Sequence, residues 1–396
     1  AQGQEPLRAG RPAASSAAMD PPPSASVAAA SGVAAAVLLL SGLAPRIGAP
    51  VLEFLAVAQM WASPGHRGVQ VYGCCAFAER ATADRSSREL LFRAGALNRS
   101  IRSMRDHPED PGVLKACAWA VASLSAWQPE AITAAGKAGA LELVVETMQR
   151  FPDEPEMMIS GTAGTLLTGS PENRVRWAAA GGLETNAEAI RKHYNSSFVQ
   201  LEAWRAFAAG SSEPNELRFK EAGGIGLAVR VMRDHAGISG VREQVLQATR
   251  AIAAYSGELR TALVEAGFVS EVVRAMQESP LDARQQAPGC ANLANLAEGD
   301  ASHRQALLEA GAVGAAVAAV QRSPSMSIPD RSQQSLRYGV RGECLKALEA
   351  LAASEAARHA VARALSKEEV IAAMRREPED WKVQTGGSAL LRLLVD

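Results

Sequence analysis

Six times along the chain an Ala-Gly pair is followed by two small or apolar residues, at nearly constant spacing. The copies are Ala94-Gly95-Ala96-Leu97, Ala138-Gly139-Ala140-Leu141, Ala180-Gly181-Gly182-Leu183, Ala222-Gly223-Gly224-Ile225, Ala266-Gly267-Phe268-Val269 and Ala310-Gly311-Ala312-Val313. Their first glycines are 44, 42, 42, 44 and 44 residues apart. A weaker copy stands at Gly48-Ala49, and a degenerate one falls near Ser366. A period held this tightly marks an array of repeats. In such an array no unit can bury its own apolar face, and neighbours must stack to make a core.

Each unit reads as three helices. A short amphipathic segment precedes the glycine, as in 258–265 or 303–309. The glycine supplies a joint, because it adopts backbone angles closed to other residues. A second segment with apolar residues at helical spacing follows, for instance 141–148, and ends just before a proline. Pro108, Pro152, Pro280 and Pro324 occupy that place in four repeats, where a missing N–H does no harm. A longer third segment such as 113–125 completes the unit. Composition agrees: hydrophobic residues make up 47% of the chain but aromatics only 5%, which suits closely packed helices better than strands.

The glycine joint, the period near 42 and third-segment endings such as Cys290-Ala-Asn-Leu-Ala-Asn-Leu-Ala297 together resemble the armadillo-repeat family. HEAT repeats, the rival of similar length, usually have two helices and lack this joint. The resemblance implies an all-α, right-handed α-solenoid of about seven to eight three-helix repeats covering residues 48–396. It also implies a concave face lined by third helices, along which an extended peptide commonly lies.

In the nuclear-import-receptor branch of that family, each third helix carries a Trp and, four residues on, an Asn that clamps the peptide backbone. The Asn position here, 16 residues before each joint glycine, holds Glu79, Ser123, Thr165, Phe207, Ala251 and Asn295. The Trp position holds Cys75, Trp119, Gly161, Ala203, Gln247 and Ala291, with Trp204 one residue out of phase. The chain is therefore not a close match to that branch, and recognition of a classical nuclear-import signal is not expected. Lys115, Trp119, Ser123, Trp204, Gln247 and Asn295 fall on or beside the expected concave face. They are the candidate partner-binding residues, since large aromatics flanked by polar groups make typical interface anchors. The alternative for Trp119 and Trp204 is packing between neighbouring repeats.

No catalytic constellation accompanies this pattern. There is no phosphate-binding Gly-x-x-x-x-Gly-Lys-Ser/Thr, no His-Glu-x-x-His, no Gly-x-Ser-x-Gly and no calcium loop. Gly223-Gly224-Ile225-Gly226 is a repeat joint and does not follow a strand. Lys plus Arg is 41 against 42 for Asp plus Glu, so no global field draws the chain to phosphate backbones. His107, His193 and His235 each follow a joint glycine by 12 residues, which places them at second-helix ends as carbonyl caps, too far apart to share a metal.

The expectation is a non-enzymatic adaptor with no cofactor, metal, nucleic acid or small-molecule substrate. It would bind a protein partner, or alternatively serve as a permanent subunit of a cytoskeletal, ciliary or membrane-associated assembly. The five cysteines, Cys74, Cys75, Cys117, Cys290 and Cys344, are odd in number and lie in apolar stretches. They read as free thiols in a reducing compartment, hence a cytoplasmic or nuclear chain. Two sequons, Asn98-Arg99-Ser100 and Asn195-Ser196-Ser197, would carry no meaning there. Residues 1–26, rich in Ala, Pro and Ser, read as disordered. Residues 27–47 read as a capping helix, with a targeting or membrane-anchoring segment as the alternative. The chain begins with Ala and reaches its first Met at Met19, which leaves its start open. A lengthened spacing after Gly311 reads as a loop insertion over 323–336.

Overall fold

The structure is a computed structural model that describes residues 49–323 and 339–394. Segments 1–26 and 27–47, and almost all of the 323–336 insertion, lie outside the described residues. Contacts divide the chain into Ala1–Leu52 and Glu53–Asp396. Of the first unit only 49–52 are described, and they are helical. The second unit holds the repeats.

Among the described residues there are 23 α-helices and no strand. The helix Ala49–Ala62 and the third helix Arg67–Ala83 lead into seven complete triplets. Six first helices are each nine residues long, from Arg85–Arg93 to Ala301–Glu309. The six second helices that follow them are each eleven, from Ala96–Asp106 to Ala312–Arg322. Every joint glycine between them is left-handed, with φ from 76° at Gly223 to 87° at Gly95. An L-residue with a side chain resists that conformation, so the glycine period is imposed by backbone sterics. Crowding reinforces the choice at Gly139, where an added Cβ would lie 2.8 Å from Arg105 Nη2. That guanidinium reaches over from the preceding repeat to the Ala138 carbonyl. The seventh joint, expected near Ser366, dispenses with glycine. Ser366 Oγ accepts from the Glu369 N–H at 3.2 Å, and the Glu369 carboxylate accepts from the Ser366 N–H at 2.9 Å. This capping box starts Lys367–Arg376 directly.

Eight third helices run along one side of the stack: Arg67–Ala83, Pro111–Ser125, Ser160–Leu167, Ser197–Gly210, Ser239–Tyr255, Ala283–Ala297, Val340–Leu351 and Trp381–Leu393. Consecutive third helices pack on one another more extensively than second helices do. Third helices therefore form one closely packed layer along the stack, referred to as the inner layer. Most of them are tied to their own second helix by a polar side chain near the start. Gln70 Nε2 donates to the carbonyls of Met60 and Ser63 at 3.1 and 2.8 Å. Gln286 does the same to Met276 and Ser279 at 2.7 and 2.8 Å, and Gln384 to Met374 and Glu377 at 2.8 and 3.1 Å. Gln200 reaches Ile190 and Tyr194 at 3.1 and 3.2 Å. Arg242 takes the equivalent place with the Met232 carbonyl. These donors satisfy carbonyls that a helix end leaves without partners, which explains why buried amides sit in an Ala/Leu/Val core.

Two expectations are corrected here. The cysteines are not all free thiols: Cys74 is bonded to Cys117 and Cys290 to Cys344, each bond joining adjacent third helices with Cα atoms 4.9 and 4.8 Å apart. Only Cys75 is a free thiol. An odd count hides two pairs whose members lie 43 and 54 residues apart and meet only once repeats stack. The histidines do stand at second-helix ends, but not to cap their own helices. His107 Nε2 lies 2.8 Å from the Pro64 carbonyl and His193 Nε2 2.9 Å from the Pro152 carbonyl, both in the preceding repeat. His235 meets Tyr194 at the corresponding place and packs edge-on against its ring, with centroids 5.1 Å apart.

Candidate protein-binding face

A third helix in this stack touches neighbours on both sides and its own first and second helices behind. The one stripe left to solvent is its inner face. On Arg67–Ala83 that stripe carries Tyr72, Cys75 and Glu79, and on Pro111–Ser125 it carries Lys115, Trp119 and Ala122. The Cys74–Cys117 bond holds these two stripes side by side. Tyr72 is 57% exposed and Trp119 partly exposed, so the first two inner helices each present a large aromatic. Farther along, Arg205, Gln247, Arg250 and Asn295 continue the row.

The sequence-derived candidates separate cleanly. Lys115, Trp119, Gln247 and Asn295 reach the inner surface. Ser123 and Trp204 do not, and as candidates for contact they are corrected. Ser123 is 6% exposed and faces the interior. Trp204 is fully buried, with its ring centroid 5.4 Å from Phe207 and 6.2 Å from Phe219, and its indole N–H donates to Gln200 Oε1 at 3.2 Å. The reason is angular. One residue along a helix is a rotation of about 100°, and the place that Trp204 takes is a core place in other repeats too, where Ala120, Ala248 and Asn292 are fully buried. Tyr72 stands three residues ahead of the Trp position, on the same helix face, where the Trp–Asn pattern places no aromatic.

Polar groups on the inner face tie successive third helices together. Lys115 pairs with Glu156, on the short 3-10 turn Pro155–Met157 that leads into the next third helix. Arg205 Nη2 donates to Thr165 Oγ1 at 3.3 Å, and Arg284 Nη2 to Ser239 Oγ at 3.2 Å. Lys346 lies 3.8 Å from Glu298, and Lys382 pairs with Glu343. Asn295, the one Asn at the clamp position, donates its Nδ2 to the Arg250 carbonyl at 2.9 Å, a main-chain group of the preceding third helix. The lysine hydrogen bond and charge pull the Glu156 carboxyl below its ordinary value. Burial, and then the Glu79 charge, push the Cys75 thiol upward, which disfavours the reactive thiolate. Acidic and basic groups both occur along the row, so the face carries no single-sign field. Among the described residues no group of His, Cys, Asp or Glu could hold a metal ion, and no helix is long and apolar enough to cross a membrane.

No family model and no curated protein matches the chain. Solved structures do. An engineered protein from a structural genomics consortium superposes with a TM-score of 0.56 at 21% identity, covering 93% of each chain. A designed armadillo repeat protein gives 0.53 at 21% identity over 64% of this chain and 99% of its own. A second designed armadillo repeat protein, in complex with the peptide (KR)4, gives 0.50 at 21% identity over 65% and 98%. At this identity the likeness concerns fold alone.

Proposed function

The chain is an armadillo-type repeat solenoid, and from that premise we propose that it is a non-enzymatic scaffold that takes an extended segment of a partner protein along its inner third-helix stripe. The observation that carries the reading is the pairing of Tyr72 and Trp119 on two adjacent inner helices, flanked by Lys115 and Glu79 and continued by Gln247 and Asn295. Aromatic rings give a partner large contact area at low entropic cost, and polar neighbours set its direction. Peptide binding by the designed armadillo protein that holds (KR)4 supports this use of the fold. The chain's own recognition differs from the import-receptor scheme, because Asn295 spends its amide on the Arg250 carbonyl. Side chains, more than a ladder of backbone clamps, would therefore read the partner. Charges of both signs on the face favour a segment of mixed charge.

Selection of a displayed random peptide library on the immobilised full chain tests this. Selected peptides should bind Trp119→Ala about tenfold more weakly, the scale of one interface anchor, with helicity and melting nearly unchanged. Unaltered affinity would remove Trp119 from the site, and a large loss of stability would assign it to the core. If native-size chromatography from source material finds the protein only inside one large assembly, the permanent-subunit alternative replaces the scaffold that exchanges partners.

A further inference from the structure

The two cystines start from one and the same position of the repeat. Met60, Gln70, Gly73 and Cys74 keep the same intervals as Met276, Gln286, Gly289 and Cys290. In both, the glutamine clamps the second-helix carbonyls, and the glycine leaves room for the methionine. An added Cβ would lie 2.2 Å from Met60 Sδ at Gly73, and 2.8 Å from Met276 Cγ at Gly289. The next residue then bonds to the following third helix. The set occurs a third time as Met374, Gln384, Gly387 and Ser388, with the same clamp and the same glycine contact at 2.8 Å from Met374 Cγ. There the cysteine position holds serine. All four bonded cysteines are 0% exposed.

We infer that this module is a covalent staple written into the repeat: it fixes the first third-helix junction and the sixth, and the chain acquires both bonds in an oxidising compartment. The reducing, cytoplasmic setting expected from the odd cysteine count gives way to one where thiols are converted to cystines. Each bond forms as two thiols give up two protons and two electrons to a small-molecule or protein disulfide, which leaves as two thiols. Because the sulfurs are buried, a reductant reaches them only when neighbouring third helices part. The bonds are therefore permanent supports of the groove and not a switch. Cys75 stays outside the exchange: it points along the inner stripe, and its thiol is held protonated.

The test is a cysteine map of the full chain from its source cells, quenched in acid, then alkylated at neutral pH in denaturant, and digested without reductant. Linked peptides should join Cys74 to Cys117 and Cys290 to Cys344, with alkylation at Cys75 alone. Alkylation of all five, or Cys75 found in place of Cys74, overturns the proposal. Cys75→Ser should leave both bonds in place, and its loss of the first bond would count against the assignment. In native buffer with dithiothreitol, reduction of the purified oxidised chain should run about a hundredfold slower than in denaturant, because the bonds open only with the helices. Equal rates would contradict the permanent staple.

Discussion

Trp204→Ala should destabilise the solenoid by about 3–5 kcal/mol, read as a lowered urea midpoint by circular dichroism, while the molecules that remain folded bind selected peptides with unchanged affinity. The residue looks like a groove aromatic in the sequence, yet it is fully buried and forms a three-ring cluster with Phe207 and Phe219, whose own centroids are 4.9 Å apart. Truncation empties an indole-sized volume between two repeats, and a rigid stack of helices collapses into such a space only in part. It also strips Gln200 Oε1 of its donor beside the clamp on Ile190 and Tyr194. Trp204→Phe keeps most of the ring volume and loses chiefly that bond, so it should cost about 1–2 kcal/mol. A neutral Trp204→Ala with impaired binding would return the residue to the groove.

Trp177→Ala should cost a similar amount, about 3–5 kcal/mol, and should couple to Gly182. Trp177 is fully buried, and a Cβ on Gly182 would lie 2.2 Å from its indole ring. One repeat later Phe219 sits over Gly224 in the same way, at 2.3 Å. Elsewhere the first-helix partner is smaller, and the residue after the joint is alanine: Leu91 with Ala96, Ala135 with Ala140, Leu307 with Ala312. Leu263 with Phe268 breaks that order. The double glycines at 181–182 and 223–224 thus have two separate causes, backbone conformation at the first and ring volume at the second. Gly182→Ala alone should destabilise by about 1–3 kcal/mol through overpacking. In the Trp177→Ala background it should be close to neutral, because the pair then matches Ala135 and Ala140. Trp177 Nε1 has no hydrogen-bond partner among the described residues, so Trp177→Phe forfeits no bond and should cost less than about 1.5 kcal/mol. Strict additivity of the two alanine substitutions in denaturant midpoints would contradict this packing.

These cases show what the sequence could carry. The joints were legible because left-handed backbone nearly demands glycine, a demand repeated six times at one period. The three-helix unit was legible because prolines close the second helices and apolar spacing marks all three. The seventh joint was legible only as a place, since a Ser-Glu capping box replaced the glycine. Side-chain direction was harder. Tyr72, Trp119 and Trp204 are aromatics on third helices, and a rotation of one or two residues decides whether each meets solvent or core. The cystines depend on contacts between repeats, which no local pattern encodes. Their signal was nevertheless present, in the shared intervals of Met60 to Cys74 and Met276 to Cys290. The same holds for His107 and His193, whose carbonyl partners lie one repeat back.

The inner-face account is most directly tested by site-resolved photocrosslinking of a selected peptide to the full chain, with a benzophenone-bearing residue placed at Trp119, at Gln247, or at Glu146. Glu146 is exposed on the second helix Ala140–Arg150, away from the inner layer. The account predicts peptide adducts at 119 and 247 and none at 146. Adducts at 146 with none at the two inner positions would contradict it.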